Sequence, residues 1–315
     1  MAGVGVAPAI EVGDLTIGGY VDTIFTVTSV DDGTDDTTST DFTGDFVLNA
    51  TYAIGEKVSA TGEFLSLGNA GTDNTVELSN ATVTWQAHDK VELMMGHFIN
   101  SLGWQAFYAP GRYRIGASAT TAFYGASYNQ GLGVLVSASD NLQLDFYIMD
   151  YVFDESTQPQ DGLGYLADLT YSAGALDVNL ELIFDSAAGA AFGGSSDDDV
   201  IQLGLNATYT GMENLLLGGE FFFTDFGDDD RMGFLAVANY AFTETVSGSL
   251  YAAYVDPSGE GEDDEIIDLT VAVLTAPTGD ANFAVNYELS YVSEAGAVDD
   301  TNTITAAIEF LAVIP

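Results

Sequence analysis

The 315-residue sequence predicts an all-β chain closed into a 16-stranded antiparallel transmembrane β-barrel, and three observations lead there. Apolar and polar residues alternate with period two along segments long enough to cross a bilayer. Sixteen such segments can be counted, an even number. Their connections alternate between tight turns and longer polar, mostly acidic runs.

Composition agrees with this class. Gly is abundant at 35 residues, Pro is scarce at 6, and Lys and Arg together number only 5; few strong helix formers favour strands. A net charge of −43 alone would suggest disorder, but 47% hydrophobic and 12% aromatic content is too apolar for an unfolded chain. The absence of cysteine rules out disulfides and thiolate metal sites. So acidic a chain repels polyanions, which excludes nucleic acid as a partner. The opening "MAGVGVAPAIEVGD" has neither a basic region nor a continuous apolar core, so any signal peptide is expected to be absent from this numbering. No run approaches eighteen apolar residues, so no helical membrane span is expected.

In chain order the first strands are expected at 14–28, 42–54 and 58–68. The second shows the pattern plainly. Phe42, Gly44, Phe46, Leu48, Ala50, Tyr52 and Ile54 share one face, while Thr43, Asp45, Asn49 and Thr51 share the other. Strands at 75–87 and 91–99 flank the turn "HDK", those at 121–139 and 142–153 flank "SDN", and those at 164–173 and 175–185 flank "SAG". Next come 199–209 and 214–226 around "GMEN", then 232–243 and 245–256 around "TETV". The last three are 265–275, 281–293 and 302–314; in "NFAVNYELSYVS", Phe283, Val285, Tyr287, Leu289 and Tyr291 oppose Asn286, Glu288 and Ser290.

A soluble sandwich would have strands of about 5–6 residues and no rule for its connections. These segments are longer, and a tilted strand needs about 9–11 residues to cross a bilayer. Lipid cannot satisfy an open sheet edge, so the sheet must close, which makes residues 1–315 one domain. Aromatic residues form two belts. Tyr52, Trp85, Tyr171, Tyr209, Tyr240 and Phe310 lie near turn ends, and Phe25, Phe42, Phe64, Phe153, Tyr165, Phe184, Phe223, Phe234 and Tyr291 near loop ends.

With the apolar face toward lipid, the polar face lines a lumen. Its acids include Asp22, Glu63, Asp168, Glu181, Glu220 and Glu288, joined by Asp45, Glu92, Asp145, Asp177, Asp268 and Glu309. The same parity puts no Lys or Arg there. Such charges are too costly in hydrocarbon or in a dry interior, so water fills the barrel. About 16–18 strands leave an aqueous channel, in agreement.

One segment breaks the pattern. "HFINSLGWQAFYAPGRYRIGASATTAFYG" contains an unpatterned run at about 100–120, rich in Gly and aromatics and carrying Arg112 and Arg114. Connections of that length are usually functional or disordered, and Leu102, Trp104, Phe107, Tyr108, Tyr113 and Ile115 can pack against a wall.

The pattern of strands and connections resembles general porins of Gram-negative outer membranes, in which the third external loop folds into the barrel and narrows it. Gly96, His97 and Phe98, followed by Gly103 and Trp104, are also similar to a short segment of the OmpL-like β-barrel porins. His97 stands where that family carries a more basic residue. The last strand also departs from the porin pattern, running past Phe310 to Pro315 instead of ending on an aromatic. The resemblance implies a passive diffusion channel for ions and small hydrophilic solutes, set in a lipid bilayer with lipopolysaccharide and assembled as a homotrimer. It implies a constriction built by Arg112, Arg114, Tyr108 and Tyr113. A dozen lumen acids against two arginines imply a preference for cations.

Other chemistry finds little support. His88, His97 and Ser101 form no nucleophile, base and orienting group, so no enzyme is expected. Acidic runs such as "DDGTDDTTSTD", "SSDDD" and "SGEGEDDE" lack the spaced ligands of a calcium loop, so no cofactor is expected beyond weak Ca²⁺ or Mg²⁺ at external loops. The competing reading is an acidic, soluble β-rich surface or structural protein, which would need no detergent.

Overall fold

A computed structural model describes residues 10–68, 76–99, 102–104, 109–116, 118–120, 128–153, 163–186, 199–227, 229–257, 265–277, 282–295 and 300–314. The strands in the first half are β1 (Ile10–Val12), β2 (Leu15–Asp31), β3 (Asp36–Ala53), β4 (Val58–Gly68), β5 (Glu77–His88), β6 (Val91–Ile99), β7 (Tyr128–Ser139), β8 (Leu142–Met149) and β9 (Gly164–Ala173). Those in the second half are β10 (Leu176–Asp185), β11 (Val200–Met212), β12 (Leu215–Phe226), β13 (Asp229–Ala241), β14 (Val246–Asp256), β15 (Glu265–Thr275), β16 (Phe283–Ala295) and β17 (Thr301–Ile314). Each strand from β2 to β17 pairs antiparallel with the next, and β17 returns to β2 through pairs running from Asn302↔Asp31 to Ile314↔Gly19. Sixteen strands therefore close a ring. Among the described residues no helix is long and apolar enough to cross a membrane.

Side-chain burial is inverted relative to a water-soluble core. Along β15, Ile267, Leu269, Val271 and Val273 are exposed while Asp268, Thr270 and Ala272 are buried. The same inversion runs along β11, where Ile201, Leu203 and Leu205 face out and Gln202 faces in. Such an outer surface is stable only against an apolar solvent. The aromatic belts also face out: Tyr52, Trp85, Tyr240 and Phe310 are exposed at the turn end, and Phe42, Phe64 and Phe234 at the loop end. Cross-strand pairs tighten the loop-end belt, with ring centroids 4.8 Å apart for Phe25 and Phe42 and 5.3 Å apart for Phe234 and Tyr254.

Several expectations need correction. The short strand β1 pairs with the start of β2, Ile10 against Ile17 and Val12 against Leu15, so it continues the line of β17 beyond Ile314. Three residues are too few to show a period. The alternation of short and long connections is incomplete as well: four residues link β2 to β3, two link β12 to β13, and seven separate β15 from β16. Strands β2 and β3 are 17 and 18 residues long, more than a crossing needs, so the polar run expected as a loop is instead paired as a projecting hairpin. At its tip the backbone N–H groups of Asp35 and Thr34 hold the Asp32 carboxyl below its usual range. Phe153 is not in a belt, because β8 ends at Met149 and Phe153 turns into the lumen. Arg231 lies on the inner-face parity of β13, contrary to the expectation of no inward cation, because that strand starts three residues earlier than expected. The expected strand start at 121–127 lies outside the described residues.

Inside, an apolar cluster fills the loop end of one side. Phe98 (β6), Met149 (β8), Ile183 (β10), Val200 (β11), Phe222 (β12) and Val255 (β14) meet Leu102, Val152 and Phe153 from the connections. Asp185, also inward, accepts the N–H groups of Val152 (2.6 Å) and Phe153 (3.0 Å) and so pins the second connection to the wall. Because Val271 is 50% exposed near the middle of β15, Val271→Arg should destabilise the folded barrel by about 2–4 kcal/mol in lipid, measured by urea unfolding in vesicles. Val271→Leu should leave stability nearly unchanged.

Candidate functional site

The described parts of the 100–120 segment lie against inward-facing side chains of five or more strands. Gly103 adopts a left-handed φ of 85°, a conformation that favours glycine. The N–H of Gly103 then reaches Glu181 Oε1 on β10 at 3.4 Å, and the N–H of Trp104 donates to Glu220 on β12. The Trp104 indole Nε1 donates to Thr208 Oγ1 on β11 at 2.7 Å. Its ring stacks on Tyr113 with centroids 5.7 Å apart and meets Tyr251 edge-on. Gly218 of β12 makes that seat possible, because a Cβ there would overlap the indole.

Farther along, the described residues of the segment meet the next strands round the ring, β15 and β16. Arg114 is 4% exposed and donates to Asp268 Oδ2 of β15 at 2.8 Å and to Glu288 Oε1 of β16 at 3.3 Å. Its guanidinium also lies over the Tyr251 ring, 5.3 Å from the centroid. The same two carboxylates accept backbone donors: Ile115 N–H to Glu288 at 2.6 Å and Ala119 N–H to Asp268 at 3.1 Å. Arg112 is half-buried, donates to Ile115 O at 3.3 Å, and acts electrostatically on Asp22 of β2 and Glu309 of β17. Burial raises the Tyr113 phenol above its usual range.

All six acids singled out in the sequence are inward. Glu181, Glu220 and Glu288 hold the segment just described. Asp22 accepts the N–H of Asp45, Glu63 accepts Ser79 Oγ at 2.9 Å, and Asp168 accepts Asn179 Nδ2 at 2.9 and 3.0 Å. Tyr108 lies outside the described residues, so only Arg112, Tyr113 and Arg114 of the expected constriction set can be placed. Asp268 is as central as Glu288 although it belonged only to the wider list of acids. Asp185 was missed, yet it shares the parity of Glu181 four residues earlier on β10 and could have been found that way.

Register creates one further feature. Asp145 of β8 sits directly opposite Asp168 of β9, which sits directly opposite Glu181 of β10. Three inward carboxylates therefore form a row across three strands. Like charges so placed repel, and amides soften this only in part: Gln143 donates to Asp145 at 2.8 Å and Asn206 to Glu181 at 3.3 Å. Among the described residues, no group of three or more acidic or histidine side chains is arranged to hold a metal ion.

No protein-family model matches the chain, and a comparison with curated proteins finds no match. Solved structures of the same fold do match. The outer-membrane channel DcaP of Acinetobacter baumannii is 9% identical, with 97% of this chain and 99% of that one aligned at a TM-score of 0.70. An anion-selective porin from Comamonas acidovorans is 17% identical over 94% and 99%, with a TM-score of 0.67. OprB of Pseudomonas putida is 12% identical over 95% and 94%, with a TM-score of 0.71. At these identities the likeness concerns the fold.

Two outcomes follow from this geometry. In a Trp85→Phe background, where Trp104 is the sole indole, Gly218→Val should expel the ring and shift its emission to longer wavelength. Arg114→Ala strips two buried carboxylates of their cation, a loss of about 3–5 kcal/mol for a buried pair, and should make the 100–120 segment susceptible to limited proteolysis.

Proposed function

We propose that the chain is an outer-membrane porin, a passive diffusion channel for ions and small hydrophilic solutes in which no bond is made or broken. The observation that carries this reading is the closed ring with an apolar outer face and a carboxylate-lined inner face. Water-soluble folds bury the opposite set. The porins and channel that share the fold support the outer-membrane location; a bilayer with lipopolysaccharide as surroundings and a homotrimer as the assembly are part of the proposal. The short likeness of Gly96 to Trp104 to OmpL-like porins belongs to the same reading.

Segment 100–120 acts as the constriction in this proposal. Arg114 serves mainly as a strut, because its charge is spent on Asp268 and Glu288. Arg112 sets the local field against Asp22 and Glu309, with Tyr113 narrowing the passage. One neighbour is described as anion-selective, so ion preference is decided by lumen side chains and not by the fold. The row of Asp145, Asp168 and Glu181 favours cations, which would relieve its repulsion. Weak, exchangeable Ca²⁺ or Mg²⁺ would screen the acidic external connections in the same way.

The purified protein should require detergent, shift its gel mobility on heating, and conduct in planar bilayers. Under a salt gradient its reversal potential should show cations passing more readily than anions. Arg112→Ala should raise that preference, most clearly at low ionic strength. Solubility in plain buffer without conductance would instead favour the acidic soluble protein.

A further inference from the structure

The apolar cluster occupies the loop end of the lumen from β6 round to β14, and segment 100–120 crosses in front of β10 to β16. On the remaining side lies a cavity of about 560 Å³ between the segment and the inner faces of β15, β16, β17, β2 and β3. That volume suits a small molecule. Along β16 the inner face presents Glu288, Ser290, Val292 and Glu294 in turn, a climb of six residues, about 20 Å, toward the loop end.

Charge and surface along this climb define what fits. The inner end carries Asp268, Glu288 and Arg114, two negative charges against one positive, and the exposed Glu294 adds another negative charge near the mouth. No other lining residue is charged. Between these ends Ile24, Ile266 and Val292 present aliphatic surface on three strands, interleaved with the hydroxyls of Thr26, Thr43, Ser290 and Thr305. A bare inorganic cation gains nothing from aliphatic walls, and an anion meets net negative charge. A neutral polyol can bond to the lining hydroxyls but gains nothing from the net negative charge. A cation with a short apolar body satisfies both parts, its head held by carboxylates and its body against Ile24, Ile266 and Val292.

We infer that this vestibule is a binding site for small organic cations such as alkylammonium or quaternary ammonium compounds. The inference rests on the channel reading for its role as an entry site, but not for the binding itself. Tetraethylammonium is a suitable probe, with sucrose as a neutral control of larger size. Calorimetric titration of the detergent-solubilised protein should show saturable binding of tetraethylammonium and none of sucrose. In planar bilayers tetraethylammonium should reduce the potassium current more strongly from one face than from the other.

Glu294→Gln should weaken both binding and block roughly threefold, as expected for loss of one exposed charge partner. Val292→Asn should weaken them while preserving charge. Glu213→Gln, in the turn between β11 and β12, should leave both unchanged, and heat-modifiable mobility confirms that each variant is folded. Binding without any potassium current would keep the site and remove the channel. A conducting protein that shows no binding, or binding insensitive to both Glu294→Gln and Val292→Asn, overturns the inference and leaves the channel reading intact.

Discussion

Closure of the backbone hydrogen-bond ladder is the constraint on which the rest of this structure depends. In hydrocarbon each unpaired N–H or C=O costs several kcal/mol, so a spanning sheet has no tolerance for a free edge. The β2–β17 seam removes that edge along thirteen paired positions, from Asn302↔Asp31 to Ile314↔Gly19. Where β17 stops, β1 takes its place beside Leu15, Thr16 and Ile17. Once the ring is closed, parity has only two destinations, lipid or lumen. Every alternating residue is thereby assigned a solvent.

That assignment turns the acids into structural handles. Carboxylates on the inner wall are acceptors, and the 100–120 segment supplies donors to four of them from its backbone and from Arg114. Glu181, Glu220, Asp268 and Glu288 hold the segment from four strands. Asp22, Glu63, Asp145 and Asp168 instead take neighbouring backbone or side-chain donors and keep the wall acidic. The lumen that results is eccentric, with apolar packing on one side and the cavity on the other.

Much of this was legible in the sequence, most clearly where a strand has one wet face and one greasy face. Strands β4, β6, β9 and β15 begin and end where alternation begins and ends. Legibility fails where that difference of solvent vanishes. The outer halves of β2 and β3 project beyond the membrane with water on both sides, so residues such as Thr37, Thr38, Ser39 and Thr40 show no period although they pair. Arg231 was misplaced for the same reason, lying in the first, loop-proximal residues of β13 where parity is weakly marked. Phe153 misled in the opposite sense, since an aromatic beyond the end of a strand can turn inward once a carboxylate such as Asp185 captures its backbone.

By itself the sequence determined the ring, its sixteen barrel strands and the alternation of wet and greasy faces, because period two and segment length are local properties written residue by residue. Which acids anchor the odd segment, and which remain to line the passage, was decided only by the tertiary structure. Arg114 meets Asp268 and Glu288 from 154 and 174 positions away, and Trp104 meets Glu220 from 116. Such meetings depend on where a closed wall places distant strands around a common axis, which no local pattern encodes.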